Sequence, residues 1–293
     1  MGLFQFISTI ELGLVYSLVA MGVFLSFKTL NFPDMTVDGS FTLGAGVCAA
    51  LIIHGVHPGL ATFAAVFAGA LAGWVTAWLS THLRILNLLA GILTMMALYS
   101  INLRIMGRPN IALLGEKTIF TEWFGSTSFF GSVHLMPLMI IAIILMACLY
   151  FFLNTRLGLA VRATGSNPRM GRAQGINDNK MIWLGLSLSN ALVGLSGALC
   201  AQVQGFTDIS LGVGTIIMGL SAVIIGQAIL PTRTIFQVLS ACILGACLDR
   251  FVVASALNVD IGLQSSDLNF VRVVLIIFAL LLPSLTQRVK SLS

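Results

Sequence analysis

The chain has 293 residues, of which 58% are hydrophobic and only 9% charged, with a formal net charge of +5. A soluble domain carries about 25% charged residues, so this chain cannot cover a water-facing surface and is expected to be an integral membrane protein. The positive surplus is too small and too clustered for nucleic-acid binding; it fits charge gathered on cytoplasmic loops.

A spanning helix needs about 20 mostly apolar residues. The pattern predicts an all-α polytopic fold in one domain, 1–293, with about nine spans (range roughly 8–10). In order they run near Phe4–Phe27, Phe41–Ile53, Leu60–Thr81, Leu86–Met106, Leu135–Leu153, Met181–Ala201, Leu211–Leu230, Ile235–Ala256 and Leu268–Leu285. No basic residue precedes Lys28, so the first segment reads as a retained helix with its N-terminus outside. An odd number of spans puts the C-terminus in the cytoplasm. Inside loops then hold Lys28, Arg84, Arg156, Arg162, Arg169, Arg172, Lys180, Arg233, Arg288 and Lys290, whereas the outside loops hold only Arg108 and Lys117.

The second span is short and follows NFPDMTVDGSFTLGAG. Pro33, Gly39, Gly44 and Gly46 suit a broken helix, which membrane depth tolerates where it lines a wet cavity; an ordinary loop and a short tilted helix fit as well. Phe32-Pro-Asp34-Met-Thr36 is echoed 174 positions later by Phe206-Thr-Asp208-Ile-Ser210. Each opens a glycine-containing apolar segment, one from inside and one from outside, as in an inverted repeat. Ionisable groups at membrane depth are functional candidates, which selects Asp34, Asp38 and Asp208, with Gly44, as pathway residues. Asp249 and Arg272 read as a structural pair.

The outside loop 107–134 carries EKTIFTEWFG, which suits a short interfacial helix. Its Glu116, Lys117 and Glu122 could meet an external partner. His54 and His57 have no Cys or acidic residue nearby in sequence and read as ordinary loop residues. The five cysteines lie in or beside apolar runs without C-x-x-C spacing, so neither a metal nor a redox site is expected. Small residues four apart (Gly69 and Gly73, Gly194 and Ala198, Ala241 and Gly245) allow close helix packing and a dimer.

The longest polar run is VRATGSNPRMGRAQGIN, Val161 to Asn177. Asn167 suits an N-cap, Pro168 the first helical position and Gly175 a C-terminal stop, while Asn177 and Asp178 suit the start of the next helix. The sequence thus predicts a short arginine-bearing helix within a 162–176 segment. Its arginines would also fix topology and attract anionic lipid.

This stretch, running on into LGLSLSNALVGLSGAL, resembles the permeases of bacterial ABC importers of the branched-chain amino acid and ribose type. The opening LGLVYSLVAMGVFLSFKTLNFPDMTVDGSFTLGAG resembles the same family's first helix and the glycine-containing segment after it, so the likeness touches both halves. FPDMTVDGSFTLGA and LLAGILTMMALYSINLRIMGRPN resemble a subgroup assigned to amino acid uptake. The resemblance implies that 162–176 is a cytoplasmic coupling helix entering a cleft on a separate ATPase subunit through Arg162, Asn167, Pro168, Arg169, Arg172 and Gly175. Arg172 departs from a small residue common in the family. The implied partners are that ATPase, a periplasmic or lipid-anchored solute-binding protein, a second permease copy and membrane lipid, all at a bacterial inner membrane.

The sequence lacks a G-x-x-x-x-G-K-[ST] phosphate loop, H-E-x-x-H and G-x-S-x-G. ATP therefore belongs to the partner, and the chain carries neither cofactor nor covalent chemistry of its own. The expected function is translocation of a small polar solute, an amino acid by resemblance, by alternating access. The alternative is an ion-gradient-driven secondary transporter, which explains the repeat and the aspartates but leaves the capped arginine helix unexplained.

Overall fold

The computed structural model describes residues 3–123, 134–230 and 233–258. The elements are α1 (Leu3–Val23), which runs into a π-helical turn at Phe24–Thr29, then α2 (Thr36–Ile53), α3 (Pro58–His82), α4 (Asn87–Met106), β1 (Asn110–Ala112), α5 (Ile119–Trp123) and α6 (Leu135–Asn154). There follow α7 (Arg156–Ser166), α8 (Pro168–Ala173), α9 (Asp178–Gln204), β2 (Phe206–Asp208), α10 (Thr215–Ile229) and α11 (Ile235–Asn258).

Among the described residues, 7 helices are long and apolar enough to cross a membrane: α1 with its π turn, α2, α3, α4, α6, α9 and α11. The predicted second span is a continuous helix of 18 residues that begins at Thr36 rather than Phe41. Its polar residues do not break it because most are buried against protein. The predicted seventh span shortens to the 15 residues of α10. Residues 209–214 are bent into turns instead, with Gly214 in the left-handed region at φ 80°. The predicted ninth span, with Arg272, lies outside the described residues.

Core position follows from which helices carry small residues. α9 packs on α1, α2 and α3; α11 packs on α1 and α10. A Cβ added at Gly69 or Gly73 of α3 would overlap the Asn190 or Leu186 carbonyl of α9, and one at Gly44 of α2 would overlap Gly194 O. Gly226 and Gly245 play the same part between α10 and α11. In lipid, helices associate through such close backbone approach and through interhelical hydrogen bonds, because lipid is as apolar as leucine. Ser189 Oγ donates to Gly22 O and Ser196 Oγ to Val15 O, both at 2.7 Å, joining α9 to α1. By contrast α3, α4 and α6 expose large apolar side chains such as Phe63, Phe67, Leu93 and Ile143.

A two-stranded antiparallel sheet pairs Asn110 with Asp208, a contact that the all-α expectation missed. It ties the start of the predicted outer loop to the end of α9. Short, mildly polar strands of three residues leave too little alternation to read from sequence. The short helix expected in EKTIFTEWFG is present as α5.

Candidate functional site

Residues 154–180, read from sequence as a loop around one short helix, form two helices and a capped turn. Thr155 starts α7, its Oγ1 accepting from Gly158 N at 3.2 Å. α7 ends at Ser166, and Asn167 leaves the helical region with φ −153° and ψ 91°. Asn167 Oδ1 then accepts from Met170 N at 3.2 Å, with Pro168 at the first position of α8. α8 is only six residues long and ends where Gly175 turns left-handed at φ 83°. Ile176 N donates back to Gly171 O at 3.0 Å, and Asn177 Oδ1 accepts from Lys180 N to begin α9. The Thr155 signal that opens α7 was present in the sequence but masked by the apolar span before it.

Arg172, the residue that departs from the resembling family, has a structural partner. Its Nη1 lies 3.1 Å from Asp178 Oδ2, an ion pair that fastens α8 to the first turn of α9. Arg169 is exposed and has no described partner, and Met170 beside it leaves its apolar side chain 60% exposed. Arg162 lies on α7, facing a cavity shared with Lys28 and Arg233. The predicted contact residues therefore divide. Asn167, Pro168 and Gly175 shape the turn, Arg172 braces it, and Arg162 and Arg169 remain available.

The four predicted pathway residues take different structural roles. Asp34 is fully buried beyond the π turn; its Oδ1 accepts from Thr36 N at 2.9 Å and its Oδ2 from Asn190 Nδ2 at 2.7 Å. Thr36 and Thr76 share a hydroxyl contact of 2.7 Å, so this cluster joins α2, α3 and α9. Sequence reading missed Asn190, although a lone Asn in an apolar span was the available signal. Gly44 is a packing position, as described above. Asp38 lines a cavity of 140 Å³ with Met95, Tyr99 and Asn102. Its carboxylate already accepts from Gly214 N and Ile216 N at 3.0 and 2.8 Å.

Asp208 lies in β2 rather than in a helix and is partly exposed. Its carboxylate accepts from the hydroxyl and the backbone N–H of Ser210, which hold it below the usual carboxylate range. The bond to Ser210 N, 2.8 Å, repeats the bond from Thr36 N to Asp34, 2.9 Å. The two echoed motifs thus fold into the same Asx turn. His57 also differs from its sequence reading: Nδ1 accepts from Gly59 N at 3.1 Å, capping α3, and Nε2 lies 3.0 Å from Glu122 Oε1. The acidic partner is remote in sequence and was invisible there. Asp249 Oδ1 accepts from Ser221 Oγ at 2.9 Å, and its expected partner Arg272 lies outside the described residues.

Residues 5–282 match the model of the family described as branched-chain amino acid transport system / permease component. The chain belongs to this family. The permease is 37% identical over 274 residues to the tyrosine transport system permease protein of Clostridioides difficile, covering 92% of this chain and 88% of that one. It is 27% identical over 277 residues to the ribose import permease protein RbsC of Escherichia coli, covering 93% of this chain and 83% of the relative. Among solved structures, PsaBC from Streptococcus pneumoniae in complex with Fab superposes with a TM-score of 0.52 at 14% identity, covering 94% and 89% of the two chains; at that identity the likeness concerns the fold. The permease is thus a multi-pass membrane protein of the ABC importer type.

Proposed function

We propose that this permease is the membrane-spanning half of an ATP-driven importer in a bacterial inner membrane. It would translocate a small polar solute, an amino acid, by alternating access. The observation that carries the proposal is the α7–α8 unit. A six-residue helix capped by Asn167 and stopped at Gly175 is held to α9 by the Arg172–Asp178 pair and leaves Arg169 and Met170 exposed. Such a rigid basic knob suits a cleft on a separate ATPase, which binds the ATP and supplies the hydrolysis. Movement of the knob then passes to α9, the helix against which α1, α2 and α3 pack. A gradient-driven carrier has no use for it.

The remaining assignments rest on the same frame. A solute-binding protein delivers substrate on the face of the 107–134 loop, a second permease copy completes the pathway, and the chain itself uses no cofactor or metal. With nine spans and the Lys and Arg residues gathered inside, the N-terminus would lie outside and α8 inside. The halves related by an inverted repeat would be α1–α4 and α9 onward, supported by the matching Asx turns and by the exchanged packing of α3 on α9 and α11 on α1. The tyrosine transport relative favours an amino acid substrate.

Co-purification with the candidate ATPase subunit tests the proposal. Wild-type chain is expected to retain the ATPase through detergent exchange, and Arg169→Glu is expected to release it. Arg172→Ala should weaken retention less, because its loss loosens the knob without reversing its charge. Reconstituted uptake that follows a proton or sodium gradient and ignores ATP would overturn the reading.

A further inference from the structure

Three cations from distant parts of the sequence meet at one cavity. Lys28 comes from the π turn, Arg162 from α7, and Arg233 from the two residues that precede α11. The cavity has a volume of 580 Å³, and among the described residues its lining includes no acidic side chain. Asn31, Ser166 and Thr234 add neutral hydrogen-bonding groups. Lys28 Nζ donates to the neutral Gln227 Oε1 at 2.7 Å, and no ion pair among the described residues involves any of the three cations. Gathering like charges around one concavity raises a positive potential that the protein leaves uncompensated.

The surrounding backbone is fixed rather than loose. α7 seats Gly165 directly against the Thr29 carbonyl. Asn31 takes a left-handed conformation at φ 53°. At the entry to α11, Gln237 Oε1 accepts from Arg233 N and Thr234 N, both at 3.1 Å, while Thr234 Oγ1 accepts from Gln237 N at 3.3 Å. This capping box satisfies the helix terminus internally, so the unmatched charge is that of the side chains. Small-molecule sites span about 300–1,000 Å³, so the cavity is far larger than a bare ion requires.

We infer that this cavity binds a phosphate group, held by Lys28, Arg162 and Arg233. Guanidinium and ammonium groups together match a phosphate's charge and its several acceptor oxygens. The phosphate comes either from the headgroup of an anionic phospholipid or from a free phosphate in solution. Bound there, it bridges α7, which leads into the knob, to α11. Occupancy therefore stiffens the approach to α8 without touching α8.

The test uses the purified full-length chain in detergent, with binding read by native mass spectrometry and by the shift in thermal unfolding. The probes are phosphatidylglycerol, phosphatidylcholine and inorganic phosphate. Phosphatidylglycerol is expected to bind and to raise the melting temperature, and phosphatidylcholine is not. Removing each cation should weaken binding by roughly tenfold. Lys28→Gln combined with Arg233→Gln should therefore abolish the shift, whereas Lys28→Arg combined with Arg233→Lys should keep most of it. Arg84→Gln, an equal charge loss outside the cavity, should bind as wild type. If the double neutral variant lacks a cooperative transition, Arg233→Gln alone replaces it. Protection by inorganic phosphate identifies a soluble ligand, and protection by phosphatidylglycerol alone identifies the lipid. The inference is overturned if wild type binds neither, if the cavity variants bind as wild type, or if Arg84→Gln loses as much. Neither ATP nor transport enters the readout, so its failure is distinct from failure of the importer reading.

Discussion

Asp38 on α2 caps a helix 178 positions away: its Oδ1 accepts from Ile216 N at 2.8 Å, and its Oδ2 accepts from Gly214 N at 3.0 Å. The N-cap of α10 is Gly214, which offers no side chain of its own. Thr42, one turn further along α2, accepts from Gly212 N at 3.0 Å and extends the grip. Loss of a cap costs about 1–2 kcal/mol, with a helix-dipole contribution from the carboxylate. Asp38→Ala is expected to lower stability by about that amount, and Asp38→Asn by less, measured as detergent melting temperature. An Asp38→Asn chain that melts as wild type yet fails in uptake would assign Asp38 to solute contact as well.

Two glycines separate packing from conformation. A Cβ at Gly44 would overlap the Gly194 carbonyl, a backbone atom that cannot step aside. Gly44→Ala should force α2 from α9 and cost about 3 kcal/mol or more, read as loss of a monodisperse folded peak. At Gly171 the nearest atom to an added Cβ is Asp178 Oδ1 at 3.5 Å, ordinary contact. Gly171→Ala should leave folding unchanged, or raise stability by a few tenths of the ~1 kcal/mol that separates glycine from alanine in a helix.

Asp34 and Asn190 form a buried pair whose acceptor capacity is only partly used. Asn190 Oδ1 is buried without a hydrogen-bond partner, while Asn190 Nδ2 serves Asp34 Oδ2 and Leu186 O. Asp34→Asn should be tolerated, because its new amide can donate to Asn190 Oδ1 after that side chain rotates. Asp34→Ala removes acceptors from two buried donors and should cost about 1–3 kcal/mol for each donor left unmet. Thermal melts of the two variants, compared with wild type, decide between these outcomes. Equal losses for Asn and Ala would show that rotation does not occur.

Asp208 gives a pH dependence of definite sign. Hydrogen bonds from Ser210 hold its folded carboxyl below the usual range, so its contribution is present above the unfolded value and is lost as pH falls through the folded one. Partial exposure makes the effect local. Limited proteolysis within 206–214 should rise on acidification, and Ser210→Ala should move that rise to higher pH. An unchanged profile in Ser210→Ala would remove Ser210 as the cause.

Most helices were legible because each must satisfy its backbone hydrogen bonds internally to cross lipid, which leaves long apolar runs in the sequence. The start and stop of α8 were equally legible, since Asn167, Pro168 and Gly175 act through local backbone geometry. Sequence left a broken helix and a short continuous one equally open for α2, because Ser40 and Thr42 look like loop residues until burial against neighbouring helices is known. The glycines could be read as packing residues, but which carbonyl each one meets could not.

The sequence alone determined a membrane class, the approximate spans, and a capped basic helix within the central polar run, because these depend on composition and on contacts within a few residues. Only the tertiary structure decided that Asp34 is a cross-helix bolt, that Asp38 caps α10, that Arg172 is spent on Asp178, and that Lys28, Arg162 and Arg233 share a cavity. Apart from Arg172 and Asp178, six residues apart on consecutive helices, each of those joins elements whose order in the chain says nothing about their distance. Hydrogen bonds and charges act over a few ångströms of space, and the packing of helices through small residues sets that spacing.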